Sequence, residues 1–353
     1  MPLPALFPIF TYVNLSNQMC LSSSGDFGVC LSSSAECRQR GGFSTTPCAA
    51  GYGACCIVRA TCGMTVRENI TYFVQMGYPR AYNGIGSCQV TLIKPNLNIC
   101  QYRLDFDLFN TTGPESTNHL CNDDQFIVVG SSPIPTICGI NTGNHMYINA
   151  GNGISNPITL SIVTSGSSFS RSWKIRISQI PCNAQYKADD NCLQYHTGVS
   201  GQMKSFNYGV TDGRQLSNQD YSICIRAERN FCSIQYTQCF DSAHLRNVSF
   251  TLTGDSRDVV PSMVGSNFCR SDFLVVPLAS NIGRTTTEQS STIDRICGGI
   301  LAADVTRIPS TIRSNVRPFR LYFHTDSVEA PLDIGNRGFC INYVQQPCGN
   351  SFS

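Results

Sequence analysis

The cysteines of this chain constrain its fold more than any other feature. Twenty occur among 353 residues, and because the number is even every cysteine can pair. Disulfides persist in oxidising compartments and are rare in the cytosol. The sequence therefore predicts a secreted, extracellular protein that disulfides stabilise. When all thiols are paired, none remains as a catalytic nucleophile.

Charge and hydropathy exclude several classes of partner. Charged residues make up 14% of the chain, and the net charge is +2, so neither nucleic acid nor an anionic membrane is expected as a partner. No run of 18 apolar residues occurs, and we expect no membrane span. The first ten residues are apolar but contain three prolines and no basic residue. We therefore interpret the chain as already processed.

The spacing of the cysteines divides the chain into four parts. An N-terminal extension (1–18) precedes a six-cysteine knot (19–60) and two strand-rich domains, the first at 61–182 and the second at 183–349. The knot is too small to support a core alone, so disulfides must hold it. Six cysteines allow fifteen pairings, and spacing alone does not choose among them.

Alternating apolar and polar residues indicate strands in both large domains. In the segment 100–109, Tyr102, Leu104, Phe106 and Leu108 share one face. Short strands separated by Gly, Pro and Asn predict an all-β fold of two antiparallel sandwiches. Trp173, the only tryptophan, lies in such a strand and is expected in the core. We find no amphipathic helix.

The two large domains are related by an internal repeat. Four segments of the first domain match four segments of the second in the same order: 100–102 with 232–234, 121–129 with 269–277, 137–139 with 296–298, and 178–182 with 344–348. Shared motifs in one order indicate duplication of a whole domain.

The motifs of the first domain resemble those of a CUB domain. They are Gly77-Tyr78-Pro79-Arg80-Ala81-Tyr82, Cys88-Gln89-Val90-Thr91-Leu92-Ile93, Cys121-x-x-Asp124 and Cys138-Gly139. The second domain resembles a more divergent CUB domain. The knot, which ends in Cys55-Cys56, is similar to a clip domain of arthropod extracellular proteins. The chain as a whole resembles secreted arthropod CUB-domain proteins, and this implies a two-sheet jelly roll for each large domain.

The resemblance also implies disulfides. The clip pattern implies Cys20–Cys55, Cys30–Cys48 and Cys37–Cys56, and the CUB pattern implies Cys62–Cys88, Cys121–Cys138, Cys192–Cys224 and Cys269–Cys297. In the repeat, Cys100 and Cys182 occupy the positions that match Cys232 and Cys348, which predicts the disulfides Cys100–Cys182 and Cys232–Cys348. The two cysteines that are left predict Cys239–Cys340.

The last two bridges of the second domain fit one pair of strands. Antiparallel strands keep the sum of paired residue numbers nearly constant, so Cys232–Cys348 and Cys239–Cys340 can lie on the same two strands, one bulge apart. The positions in the first domain that correspond to Cys239 and Cys340 lie near Asp107 and Lys174. We expect an ion pair between these two residues.

Some CUB domains bind Ca²⁺ through a Glu, an Asp and a later Asp, because calcium needs several oxygen ligands. Asp124 and Asp272 match the middle ligand. Glu115 is one position out of register in the first domain, and Val264 occupies the Glu position in the second. Asp124 and Glu115 are therefore weak candidates for a calcium site. The alternative, which we favour, is that each Asp caps a turn and that the protein has no metal or cofactor.

Four sequons, at Asn14, Asn69, Asn110 and Asn247, are candidate glycosylation sites in a secreted chain. Asn110 opens the segment Asn110-Thr111-Thr112-Gly113-Pro114, which has the composition of an exposed turn.

No motif points to an enzyme. The chain has no Gly-Asp-Ser-Gly or Gly-x-Ser-x-Gly segment, and its five histidines form no metal-ligand pattern. The resemblance implies a non-enzymatic interaction protein that binds a protein, a glycan or other copies of itself. One alternative is a cofactor of an extracellular protease cascade, in immunity or development, that docks through the knot. Another is a structural component of an extracellular layer.

Overall fold

The computed structural model describes residues 18–130, 132–151, 153, 156–167, 169–209, 213–244, 247–283 and 293–348. The chain is nearly all-β, so the predicted fold class is confirmed. Residues 1–17 of the expected extension, and with them the sequon at Asn14, lie outside the described residues. Among the described residues, no helix is long and apolar enough to cross a bilayer.

The knot is a small sheet with one short helix. Its elements are β1 (Met19–Leu21), β2 (Phe27–Leu31), α1 (Ser34–Gln39), β3 (Gly42–Cys48), a 3₁₀ turn (Ala49–Gly51) and β4 (Gly53–Ala60). The sequence analysis did not foresee α1. Six residues are too few to show a helical period, and the helix depends on Ser33, which accepts a hydrogen bond from the N–H of Glu36.

Where the structure describes it, the first domain forms eight strands in two sheets. They are β5 (Thr65–Val66), β6 (Thr71–Val74), β7 (Gly86–Leu92), β8 (Ile99–Asn110), β9 (Asp124–Val129), β10 (His145–Asn149), β11 (Ile158–Thr164) and β12 (Ser172–Pro181). One sheet has the order β5-β7-β11-β9, and the other continues from the knot as β4-β6-β12-β8-β10. Trp173 is fully buried between the sheets and contacts Phe73 and Tyr82 edge to face.

The knot is joined to the first domain by pairing and by charge. Strand β4 pairs in parallel with β6, so one sheet runs through both parts. Buried Asp26 of the knot forms ion pairs with Lys174 and with Arg59. The hydroxyl of Tyr72 accepts a hydrogen bond from the N–H of Phe27 at 2.7 Å.

The ion pair expected between Asp107 and Lys174 is wrong. Lys174 binds Asp26 instead, and the Asp107 carboxylate lies 3.7 Å from Nε of Arg176. The cause is a bulge, because Lys174 pairs with Leu108 and Ile175 pairs with Phe106, which leaves Asp107 as the extra residue.

The described residues of the second domain form eleven strands. They are β13 (Cys192–His196), β14 (Ser200–Lys204), β15 (Asp220–Ile225), β16 (Phe231–Gln238), β17 (Phe250–Thr251), β18 (Ser262–Val264), β19 (Phe273–Asn281), β20 (Ile293–Gly298), β21 (Ile312–Ser314), β22 (Phe319–His324) and β23 (Gly338–Pro347). The strand order is β13-β15-β22-β19-β21-β16-β23-β14. The first half of β19 pairs with β22 and its last residues pair with β21. Between them Leu278 has φ +47°, at an irregularity in the pairing with β20.

Ten disulfides join all twenty cysteines, and none of these cysteines is free. The pairs are 20–55, 30–48, 37–56, 62–88, 100–182, 121–138, 192–224, 232–348, 239–340 and 269–297. They coincide with the pairs of the sequence analysis. The bridges from Cys232 and Cys239 join the antiparallel strands β16 and β23, where Cys239 directly follows β16 and Cys348 directly follows β23, and the register shifts once between Phe231 and Ser233.

The nested bridge Cys239–Cys340 should contribute little to stability. It closes a sequence separation of 101 inside the separation of 116 that Cys232–Cys348 closes. A single disulfide that closes a loop of this size would stabilise the folded protein by about 4–5 kcal/mol. Here the outer bridge already restricts the unfolded chain. We expect replacement of both Cys239 and Cys340 by Ala to cost only about 1–2 kcal/mol, from local packing. Urea unfolding measures the cost. Failure of the double variant to fold, while each single variant folds normally, would contradict this expectation.

Candidate functional site: the interface between the two domains

A buried ion pair occupies the position of the weak calcium candidate Asp124 in the first domain. Asp124 and Arg171 are both fully buried. Nε and Nη2 of Arg171 lie 2.6 and 2.9 Å from the two carboxylate oxygens of Asp124. The backbone N–H groups of Thr112 and Ser165 also donate to Asp124. The guanidinium therefore supplies the positive charge that this carboxylate needs.

Glu115, the other calcium candidate, holds a loop together. Its carboxylate accepts hydrogen bonds from the backbone N–H groups of Thr117, Asn118 and Leu120. Burial favours the neutral carboxyl, but these hydrogen bonds outweigh it and lower the pKa of Glu115. Because Asp124 is held by Arg171 and Glu115 by the loop backbone, these residues do not fit a calcium ion.

The loop that Glu115 organises reaches the second domain. Oδ1 of Asn118 accepts a hydrogen bond from the N–H of Glu329 at 3.2 Å. Nδ1 of His119 lies 3.7 Å from Oε1 of Glu329, and both side chains are almost fully buried. The sequence analysis assigned no role to Asn118 or His119, since neither belongs to a motif.

Asp272 lies next to this contact and is buried, and no Lys, Arg or His among the described residues forms an ion pair with it. Nε2 of Gln215 donates to Asp272 at 3.1 Å and to Glu329 at 3.2 Å, so one amide group bridges two acids. Burial, and then the nearby charge of Glu329, raise the pKa of Asp272 to about 8. Val264 cannot coordinate a metal, and the described residues contain no group of three or more metal-binding His, Cys, Asp or Glu side chains. The arrangement does not fit calcium.

Asparagine and histidine side chains bond to backbone across the interface. Oδ1 of Asn141 accepts from the N–H of Asn207 at 2.7 Å, and Oδ1 of Asn207 accepts from the N–H of Ile140 at 2.9 Å. Nε2 of His145 accepts from the N–H of Tyr195 at 3.0 Å. This last bond requires a neutral imidazole with its proton on Nδ1. Such reciprocal bonds fix the relative position of the two domains.

Burial favours the neutral imidazoles of His145 and His196. Burial, followed by the nearby His196 and Arg103, lowers the pKa of His145 well below its usual value. Burial and Arg103 lower the pKa of His196 to about 4. The two rings lie 5.0 Å apart beside a small polar cavity. A neutral His145 leaves Nε2 unprotonated, as the hydrogen bond from Tyr195 requires.

A cleft of about 450 Å³ opens between the two domains. The first domain contributes Asn110, Pro114, Ile140 and Phe169 to its walls, and the second contributes Arg214. The side chain of Ile140 is 54% exposed. The guanidinium of Arg214 has no hydrogen-bonding partner among the residues that the structure describes. The cleft therefore combines apolar surface with an available cation.

The described sequons differ in their surroundings. Oδ1 of Asn69 accepts from the N–H groups of Ile70 and Gln179. The side chain of Asn247 bonds to Cys239 and Ser249. Asn110 ends strand β8 and lines the cleft. Glycosylation at all three remains a prediction.

The comparison with protein families concerns the second domain. Residues 189–346 match the family model of the animal CUB domain. This part of the chain contains a CUB domain. The charged cluster around Asp272 and the wall formed by Arg214 both belong to the CUB domain. Knot and first domain lie outside the matched residues.

Among solved structures, the chain is similar to multidomain extracellular regions. It shares 14% identity with the CUB1-EGF-CUB2 domains of rat MASP-1, over 79% of this chain and 99% of that one, with a TM-score of 0.25. It shares 12% identity with the full extracellular region of zebrafish Gpr126/Adgrg6, over 83% of this chain and 38% of that one, with a TM-score of 0.29. These scores are too low to carry an argument about function. No curated protein matches the chain.

Removal of Arg171 should destabilise the first domain strongly. Arg171→Met leaves Asp124 buried without its partner, at an expected cost of about 3–5 kcal/mol. Arg226→Met is the matched control, because Arg226 pairs with Glu228 at the surface and should cost less than about 1 kcal/mol. Urea denaturation measures both. The double variant Asp124→Leu/Arg171→Met, which buries no charge, should recover part of the loss. An Arg171→Met protein as stable as the wild type would refute the assigned role.

The buried carboxyl of Asp272 should make stability depend on pH. Its pKa is raised on folding, so its stabilising contribution is present at acidic pH and is lost as the pH rises through about 8. Asp272→Asn removes this dependence. One unit of pKa shift corresponds to about 1.4 kcal/mol of stability. The difference in melting temperature, Asp272→Asn minus wild type, should therefore be several degrees larger at pH 8 than at pH 4.5. Asp258→Asn, at an exposed position, should show no such rise. A flat difference for Asp272→Asn would contradict the prediction.

Proposed function

We propose that the chain is a secreted, non-enzymatic interaction protein that binds an extracellular protein or glycan in the cleft between its two large domains. The observation that carries the proposal is that both domains build the cleft, with an available Arg214 guanidinium beside the apolar side chains of Ile140 and Phe169. A partner with an acidic group next to an apolar group complements these walls.

An extracellular location is supported by two independent features. Ten disulfides need an oxidising compartment to form and persist. CUB domains occur in extracellular proteins and mediate protein interactions. The lack of a nucleophile motif in the sequence and the structural use of His145 favour binding over catalysis. In this proposal the protein is also glycosylated, at one or more of its sequons.

A second candidate function involves the knot. Its resemblance to arthropod clip domains favours a cofactor of an extracellular protease cascade. The knot exposes large apolar side chains, with Met19 59%, Leu21 56% and Tyr52 69% accessible. Exposed apolar surface of this kind is typical of protein-binding regions. In this case the partner would bind the knot and not the cleft.

The proposal can be tested by capture of partners from extracellular fluid of the native source. The full chain and its Arg214→Glu variant are immobilised, and bound proteins and glycans are identified by mass spectrometry. We expect Arg214→Glu to lose the partner, since reversal of charge in the cleft repels an acidic group. Arg270→Glu makes the same change at an exposed position away from the cleft walls, and it should keep the partner.

The outcomes separate the alternatives. Equal capture by all three proteins would contradict the role of the cleft. Capture of a protease that Arg214→Glu retains would support the knot. Recovery of the chain itself as the bound species would indicate self-association.

A further inference from the structure

Asn110 differs from the other described sequons in the freedom of its side chain. The carboxamides of Asn69 and Asn247 are held by hydrogen bonds to backbone groups. The carboxamide of Asn110 makes no hydrogen bond to the residues that the structure describes, although Asn110 is only partly exposed. It is therefore available for modification without loss of an internal bond.

Asn110 lies in the wall of the cleft, so a group attached to its side chain would lie at the cleft. Asn110 ends strand β8, pairs with Ser172 and forms part of the cleft wall. The same wall includes Arg214 of the CUB domain and Phe169 of the first domain. Gly113, also in the wall, leaves open space where a side chain would extend. The volume of about 450 Å³ lies in the range of sites that bind small organic groups.

We propose that the innermost sugars of an N-glycan on Asn110 occupy this cleft and control the access of its partner. The aliphatic face of a sugar ring would pack on Phe169, and sugar hydroxyl and amide oxygens would accept hydrogen bonds from Arg214. The location of the glycan follows from Asn110 alone. The control of access rests on the proposed function.

The modification is an ordinary glycosyl transfer. The donor is a lipid-linked diphosphate oligosaccharide of the secretory pathway. A bond forms between Nδ2 of Asn110 and the anomeric carbon, and the bond from that carbon to the diphosphate oxygen breaks. The amide loses one proton, and the diphosphate leaves as the anion. No oxidant or reductant is needed.

The test is the reactivity of Arg214 toward phenylglyoxal, a reagent specific for arginine. The full chain is secreted from eukaryotic cells, and peptide mapping identifies the glycan on Asn110 and the labelled arginines. We expect labelling of Arg214 to be about tenfold faster in Asn110→Gln than in the glycosylated protein, which corresponds to about 1.4 kcal/mol of protection. Arg270 should react equally in both proteins. Asn69→Gln, which removes a different sequon, should leave Arg214 protected.

Enzymatic release of the glycan provides a second readout, which stays decisive if Asn110→Gln is not secreted. The glycan on Asn110 should be released more slowly from the native than from the denatured protein, because the cleft covers its linkage. An unmodified Asn110, or equal labelling of Arg214 with and without the glycan, would overturn the proposal.

A separate comparison tests the control of access. Capture of the cleft partner should increase in Asn110→Gln. If Arg214 is protected by the glycan but capture is unchanged, the glycan lies in the cleft and the control of access is wrong.

Discussion

The fixed relation between the two large domains depends on hydrogen bonds from side chains to backbone across their interface. Asn141 and Asn207 each accept a bond from a backbone N–H of the other domain, and the imidazole of His145 accepts one from Tyr195. Such bonds form only when the two backbones hold one relative position. Apolar packing reinforces them, because a single hydrophobic cluster contains residues of both domains. The cleft lies between the two domains that these contacts hold together.

The buried acids of both large domains are held by the protein's own side chains and backbone groups. In the first domain, Asp124 stands where the family resemblance implies a calcium ligand, and it forms an ion pair with Arg171. In the CUB domain, Asp272 shares the amide of Gln215 with Glu329. Buried carboxylates without water need a counter-ion or hydrogen-bond donors. Here the protein supplies the counter-ion and the donors from its own groups, and Arg214 in the cleft wall has no hydrogen-bonding partner among the residues that the structure describes.

Features of local spacing could be predicted from the sequence, and long-range polar contacts could not. Alternation and the repeat predict the strands, and the family resemblance together with the repeat implies the same ten disulfide pairs that the structure contains. The partner of Lys174 was missed because a bulge at Asp107 shifts the register between β8 and β12. No residue pattern in the sequence predicts this bulge. Arg171 was missed because the pair with Asp124 spans 47 positions. The roles of Asn118 and Asn207 depend on the contacts between the two domains. The sequence of either domain alone does not predict these contacts.

The central claim is that the two large domains form one unit with a permanent cleft between them. Hydrogen exchange of the full chain tests it most directly, at the backbone amides of Ile140, Tyr195 and Asn207. These amides should exchange as slowly as those in the core strands β8 and β23, because they open only with the interface. Exchange as fast as in exposed loops, while the core strands stay protected, would show that the domains separate freely and would contradict the claim.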